Sequence, residues 1–368
     1  MSRAIGGMGG MSAGAGRIEA IDFARGVAVT LMILSHGVKG LLDFGDFPSW
    51  GLVPVHLLTK FSSSLFILVF GISLAVAFLP HVGTPRWPEK RRKLWLRGLI
   101  VLFWYKVLTI VEMLHLYEPA DIVDALLFRA FPVYVEILGF YAIALLWVPL
   151  MLPLWKKSPL WLRLSAPFVL AAAAHFLYRG FHFWEIEPLQ AILVEHEDHY
   201  TWGQLARGPL ILLGLLAGEL VLRGYRRTRS RFALAGFFAS CSFILFAAFY
   251  WGAAADLKTE LVAIAHNAGK HPPELMFMLF SVGGALSILA CTVFSGERLA
   301  AWLRPVTIIG QNALQAFIFH IFVIFIFFRY LLGYWHDVSY GFALTLTLFL
   351  IPATALWIQT YRWVQAKS

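Results

Sequence analysis

The chain has 368 residues, 60% of them hydrophobic and only 14% charged, with a mean hydropathy of +0.73. A soluble domain is about 45–50% apolar and about 25% charged, so the composition excludes the two or three soluble domains that the length alone would suggest. The formal net charge of +9 sits in short basic runs between apolar spans. That pattern serves membrane orientation and excludes nucleic acid as the primary partner.

Residues 1–16, rich in Gly, Ala, Ser and Met, carry no helical period and read as a disordered tail on a membrane domain of residues 17–368. The first apolar span, near 18–42, is too long for a signal-peptide core and has no small-residue cleavage site behind it, so it stays as an anchor. Runs of about 20 apolar residues cross a bilayer as helices. They fall near 18–42, 55–79, 94–116, 130–153, 160–178, 207–223, 232–253, 274–294, 305–328 and 340–363. The stretch Asp121–Arg129 is a candidate interfacial half-helix, and no repeat at a fixed period is visible. Cys241 and Cys291 fall inside spans and read as small core residues, with neither a disulfide framework nor metal spacing. The expected fold is therefore all-α, a polytopic bundle of about ten membrane helices.

Orientation follows from the loops. Those after even-numbered spans hold Arg86/Lys90/Arg91/Arg92/Lys93, Lys156/Lys157/Arg163, Arg226/Arg227/Arg229/Arg231 and Arg298/Arg304. Loops after odd spans are mostly acidic, with Asp43/Asp46, Glu118/Asp121/Asp124 and Glu185/Glu187/Glu195/Glu197/Asp198. Basic short loops stay cytoplasmic, which puts the N- and C-termini inside.

An ionisable group within a span costs about 2.5–3.5 kcal/mol on insertion scales and needs a reason. By helix rise, His36 stands about 27 Å and His320 about 22 Å above the inner ends of their spans. Neither can snorkel easily at that depth. Lys106 and Glu112 occupy the third span, and Glu136 lies near the outer end of the fourth. The histidines at span ends, His115, His182 and His271, read as interfacial, and Lys60 and Arg179 as side chains that snorkel outward. Asp22 and Arg25, three residues apart, can neutralise one another on one helix face. The polar chemistry is concentrated in the non-cytoplasmic half.

The first span carries a recognisable pattern, Arg17-Ile18-Glu19-Ala20-Ile21-Asp22-Phe23-Ala24-Arg25-Gly26 followed by Met32-Ile33-Leu34-Ser35-His36. It resembles the opening of the transmembrane acyltransferase superfamily, which includes O-antigen acetyltransferases, periplasmic glucan succinyltransferases and the lysosomal heparan N-acetyltransferase. Phe61 to Ser73 with its Gly71-Ile72-Ser73, the basic Lys90-Arg91-Arg92-Lys93-Leu94-Trp95-Leu96-Arg97, Lys270-His271-Pro272-Pro273-Glu274-Leu275 and Gly310-Gln311-Asn312-Ala313-Leu314 are similar to later segments of that family. The heparan branch has a histidine before a Ser-Trp in the loop after helix one. Here Phe47 and Pro48 precede Ser49-Trp50, so His36 matches the O-acyl and succinyl branches better.

The resemblance implies transfer of an acyl group, acetyl or succinyl foremost, from cytoplasmic acyl-CoA to a hydroxyl or amine of an extracytoplasmic carbohydrate, at a bacterial inner membrane. His36 would be the general base, since an imidazole with a pKa near 6.5 suits proton transfer at neutral pH; an acyl-histidine intermediate is the second variant. His320, Glu112 and Glu136 are its candidate partners by depth. Arg25, Arg91, Arg92, Lys93 and Arg97 would meet the donor's phosphates. Trp184, Tyr200 and Trp202 could stack on acceptor sugars. No metal or permanent cofactor is implied, and a homo-oligomer is left open. Intramembrane His, Lys and Glu also mark transport paths, so a transporter or flippase of a polar or lipid-linked substrate is the alternative, followed by a non-catalytic scaffold.

Overall fold

The computed structural model describes residues 18–42, 53–181 and 183–367. The N-terminal tail, Asp43, Asp46, the Ser49-Trp50 pair and His182 lie outside the described residues. Among those described, the chain is all-helical, 81% helix and without a strand. Ten helices are long and apolar enough to cross a membrane. They are α1 (Glu19–Lys39), α2 (Val53–His81), α3 (Trp87–Met113), α4 (Glu136–Lys157), α5 (Leu160–Gly180), α6 (Gln204–Gly224), α7 (Thr228–Gly252), α8 (Leu275–Ser295), α9 (Ala313–Leu331) and α10 (Tyr340–Lys367).

Each expected span has its helix, and the departures have local causes. α2 is broken at Lys60 into Val53–Thr59 and Phe61–Ala77. There the Thr59 hydroxyl donates to the His56 carbonyl at 2.7 Å and the Ser62 hydroxyl to that of Thr59 at 2.6 Å, hydroxyls competing for carbonyls the helix would use. α3 starts seven residues before the expected 94, so Lys90 to Lys93 form helix and not loop; Pro88 suits a first turn, whose N–H groups have no intrahelical partner. The half-helix ahead of α4 is real and spans Pro119–Leu126.

The ninth span is the main correction. The expected helix from 305 to 328 is interrupted at Asn312, which takes non-helical φ −130°, ψ 43° between the separate helix Arg304–Gln311 and α9. The Asn312 amide donates to the Ile308 carbonyl at 2.8 Å, tying off the end of the shorter helix. Beyond Phe322, α9 continues as a π-helical segment, Val323–Leu331. Such widened turns are frequent at functional sites.

The chain forms two compact units. The first contains the described parts of 1–69, 224–244 and 282–368, hence α1, α9, α10 and the helix Arg304–Gln311. Small residues let its backbones meet. A Cβ on Gly26 would fall 1.9 Å from the Val306 carbonyl oxygen, one on Gly310 1.9 Å from that of Asp22, and one on Gly37 2.3 Å from Thr347 Oγ1. α1 is thus held against Arg304–Gln311 along its first half and against α10 further on. Ser242 of α7 adds a hydroxyl bond to the Gly283 carbonyl of α8 at 2.7 Å.

The second unit contains residues 70–223 and 245–281. Gly71 and Gly218 bring α2 and α6 together, and Gly139 of α4 packs on the Tyr105 ring of α3. A window of α5 is only 11% buried within the chain, so most of its apolar surface is left for lipid.

Candidate active site on the first helix

Arg25 and His36 are eleven residues apart, about three helical turns, so both project from one face of α1 with about 16 Å of rise between them. At the lower level, Arg25 Nη1 donates to Asp22 Oδ1 at 3.0 Å and to the Gly310 carbonyl at 3.2 Å. The neutralisation expected of Asp22 and Arg25 is present, and it also fastens α1 to the helix Arg304–Gln311.

At the upper level, His36 Nδ1 lies 3.1 Å from His320 Nε2, with the two rings nearly stacked at 5.4 Å and Phe317 packed edge-on against both. His320 is fully buried. Its other nitrogen, Nδ1, stands 2.8 Å from the Ala316 carbonyl. A carbonyl only accepts, so Nδ1 of His320 carries the proton and Nε2 presents a lone pair. His36 Nδ1–H then donates to it, and the basic lone pair of His36 is on Nε2. The carbonyl–imidazole–imidazole chain fixes both tautomers by geometry.

The other expected site residues fall in the second unit. Glu112 is spent on backbone: its carboxylate accepts from Val133 N at 2.6 Å and Tyr134 N at 3.0 and 3.1 Å, pinning the turn ahead of α4. Glu136 accepts from Trp202 Nε1 at 3.1 Å and lies 3.9 Å from Lys270 Nζ. Lys93 pairs with Glu89 at 2.6 Å, and the Arg91 guanidinium sits 5.0 Å over the Trp95 ring. Arg92 and Arg97 are exposed on α3.

A charged cluster in this unit escaped the sequence reading. Glu195 is 0% and Arg207 1% exposed, with Nε of the arginine donating to the carboxylate at 2.8 Å. Arg207 also donates to the Lys270 carbonyl. His271 Nδ1 donates to the second carboxylate oxygen at 3.0 Å, and Lys270 Nζ donates to the Tyr200 hydroxyl at 2.6 Å. Burial alone would raise the Glu195 carboxyl; Arg207 and His271 outweigh it and hold it below the usual range. Burial also pushes His271 down to about 4, against the pull of Glu195.

Four expectations are corrected here. His271 is buried in an ion-pair cluster and not interfacial, its Nδ1 held by Glu195 and its ring packed against Tyr200 and Trp202. Lys60, expected to snorkel, is buried at the break in α2. Trp202 and Tyr200, expected to stack on a sugar, are engaged by Glu136 and Lys270, whereas Trp184 is 75% exposed. Cys291 is exposed on α8 and not in the core. Among the described residues no group of three His, Cys, Asp or Glu is arranged to hold a metal ion.

Ten apolar helices define an integral, multi-pass membrane protein, and in its first unit the Arg25–His36 face of α1 meets His320 of α9. The sequence profile of a family described as an acyltransferase domain matches residues 18–362. The chain belongs to that family, the transmembrane acyltransferases that include the O-antigen acetyltransferases. Comparison with curated proteins finds no match.

Proposed function

We propose that this membrane acyltransferase moves an acyl group, acetyl or succinyl foremost, from cytoplasmic acyl-CoA to a hydroxyl or amine of an extracytoplasmic carbohydrate, in a bacterial inner membrane. The observation that carries this reading is the tautomer chain from the Ala316 carbonyl through His320 to His36. It gives His36 Nε2 the lone pair of a general base.

Nε2 takes the proton of the acceptor as its oxygen or nitrogen attacks the thioester carbonyl. The resulting imidazolium is stabilised because its Nδ1–H already donates to His320. Collapse of the tetrahedral adduct breaks the C–S bond, and the proton on Nε2 passes to the departing thiolate. His320 is a positioning residue that holds ring and tautomer, the part a carboxylate takes in serine hydrolases. The alternative in which the lone pair itself accepts the acyl group uses the same geometry.

The basic loops between even and odd spans favour donor entry from the cytoplasm. Within the second unit, Arg91, Arg92, Lys93 and Arg97 on the first turns of α3 are the cations proposed for its phosphates, and Arg25 on α1 is a separate candidate in the first unit. The roles of Glu112 and Glu136 shift with their contacts, since both carboxylates order outer segments of the second unit and are best assigned to acceptor-side architecture. The experiment is incubation of detergent-purified protein with labelled acetyl-, succinyl- and longer acyl-CoAs and a glycan acceptor. Acyl transfer that disappears in correctly inserted His36→Ala supports the reading. Full transfer by that variant rejects His36 as base, and solute transport in CoA-free proteoliposomes would favour the transporter.

A further inference from the structure

A cavity of about 340 Å³ opens beside the first turn of α1, bounded by Glu19, Arg304, Thr307, Gln311, Gln359 and Arg362. All six belong to the unit that holds the histidine pair. The Thr307 hydroxyl is committed to the Ala300 carbonyl at 2.7 Å, and two guanidiniums, two carboxamides and one carboxylate make up the rest of the polar lining. Arg362 reaches the neutral Gln311 Oε1 with both terminal nitrogens, at 3.4 Å each. Arg304 has neither an ion-pair nor a hydrogen-bond partner among the described residues. The cavity wall is thus net cationic, with fork-shaped donors suited to phosphate oxygens.

We infer that this cavity is a phosphate-binding seat, and that its occupant is the phosphorylated nucleotide end of acyl-CoA. The inference rests on the acyl-CoA reading above and adds a location that the α3 basic run does not supply. Glu19 and the two glutamines favour a nucleotide, because they offer acceptors for ribose hydroxyls and a base amine beside the phosphate site. The volume falls in the range of about 300–1,000 Å³ usual for small-molecule sites. The position fits as well. Glu19 and His36 are seventeen residues apart on α1, about 25 Å by helix rise, so the seat and the proposed base occupy opposite parts of one helix. Acyl-CoA has the same layout, with its nucleotide phosphates at one end and its thioester at the end of a long flexible arm.

The test is binding of CoA, dephospho-CoA, pantetheine and adenosine 3′,5′-bisphosphate to purified protein in nanodiscs, with and without phosphatidylglycerol. Wild type, Arg304→Gln, Arg362→Gln, the double variant and His36→Asn are compared. The bisphosphate should bind wild type and His36→Asn alike, and the double variant should lose about tenfold or more for CoA and bisphosphate, with pantetheine unchanged. A double variant that binds CoA as wild type does overturns the seat and leaves the acyl-CoA reading standing. Wild type that binds no CoA at all overturns both. Bisphosphate binding displaced by phosphatidylglycerol, with CoA binding intact, makes the cavity a lipid-headgroup site and overturns the nucleotide assignment.

Discussion

Nδ1 of His36 and Nε2 of His320 stand 3.1 Å apart although 284 positions separate them in the chain. Their contact ties the first apolar helix to the ninth and fixes which imidazole nitrogen is basic. Removing each partner should therefore have a different effect. His36→Ala should lower acyl transfer by about 10²–10⁴-fold, the usual worth of a general base, while donor binding persists. His320→Ala should cost less and act on kcat with KM nearly unchanged, because it frees the tautomer and leaves the lone pair. Single-turnover transfer of labelled acyl groups separates the two; a His320→Ala enzyme with wild-type kcat removes the orienting role.

Gly310→Ala should destabilise the first unit by about 1–3 kcal/mol, the cost of forcing a methyl group into a filled interior. Its Cβ would meet the Asp22 carbonyl at 1.9 Å, against rigid backbone. Gly236 on α7 has nothing within 4 Å of a built Cβ, so Gly236→Ala should be neutral or slightly stabilising. Thermal unfolding of the two variants in one detergent reads the contrast, and equal midpoints would contradict it.

Arg207→Ala should cost about 3–5 kcal/mol, since it strands the buried Glu195 charge. The loss should appear first as protease sensitivity in the segment from Glu185 to Gly203, which Glu195 anchors. Resistance equal to wild type would show that the segment holds without the pair.

Stability should fall on acidification, through His271 and Glu195. The imidazole is pushed from 6.5 to about 4 in the folded protein, so between those values the unfolded chain binds the extra proton and stability rises with pH. Acidification from 6.5 towards 4 then removes on the order of 3 kcal/mol. Glu195, whose folded carboxyl is held low, contributes stability present above its unfolded value of 4.5 and lost as pH falls through the folded one, in the same direction. The groups facing His271 are Glu195, Arg207, Lys270 and Tyr200. Unfolding midpoints from pH 7 to 4 should slope less in His271→Gln, and parallel slopes would exclude the histidine as the source.

Arg97→Ala should raise KM for acyl-CoA with kcat preserved, the signature of lost ground-state binding. Unchanged steady-state kinetics would leave that exposed arginine with topology alone.

The ten spans were legible because a run of about twenty apolar residues is a local signal. His36 and His320 were legible as deep, costly polar groups, and the spacing from Arg25 to His36 repeats on one helix face. The break at Asn312 was not legible, since an apolar run reads the same whether one helix or two carry it. Glu195, Arg207 and His271 were missed for a related reason. Each sits beside a span end, where charge is ordinarily solvated, and nothing in the linear order relates a loop acid to an arginine twelve residues on and a histidine beyond two further helices. Trp202 misled in the same way, as an apparent loop aromatic whose indole is turned onto Glu136.

The glycine seam between α1 and the helix Arg304–Gln311 limits how the first unit can move. Gly26 and Gly310 bring two backbones together with no side chain between them, and Arg25 clamps the same junction through the Gly310 carbonyl. Two surfaces so joined cannot slide or part without breaking backbone contacts along the whole seam. They behave as one fixed wall, and any rearrangement within this unit has to be carried by its other helices.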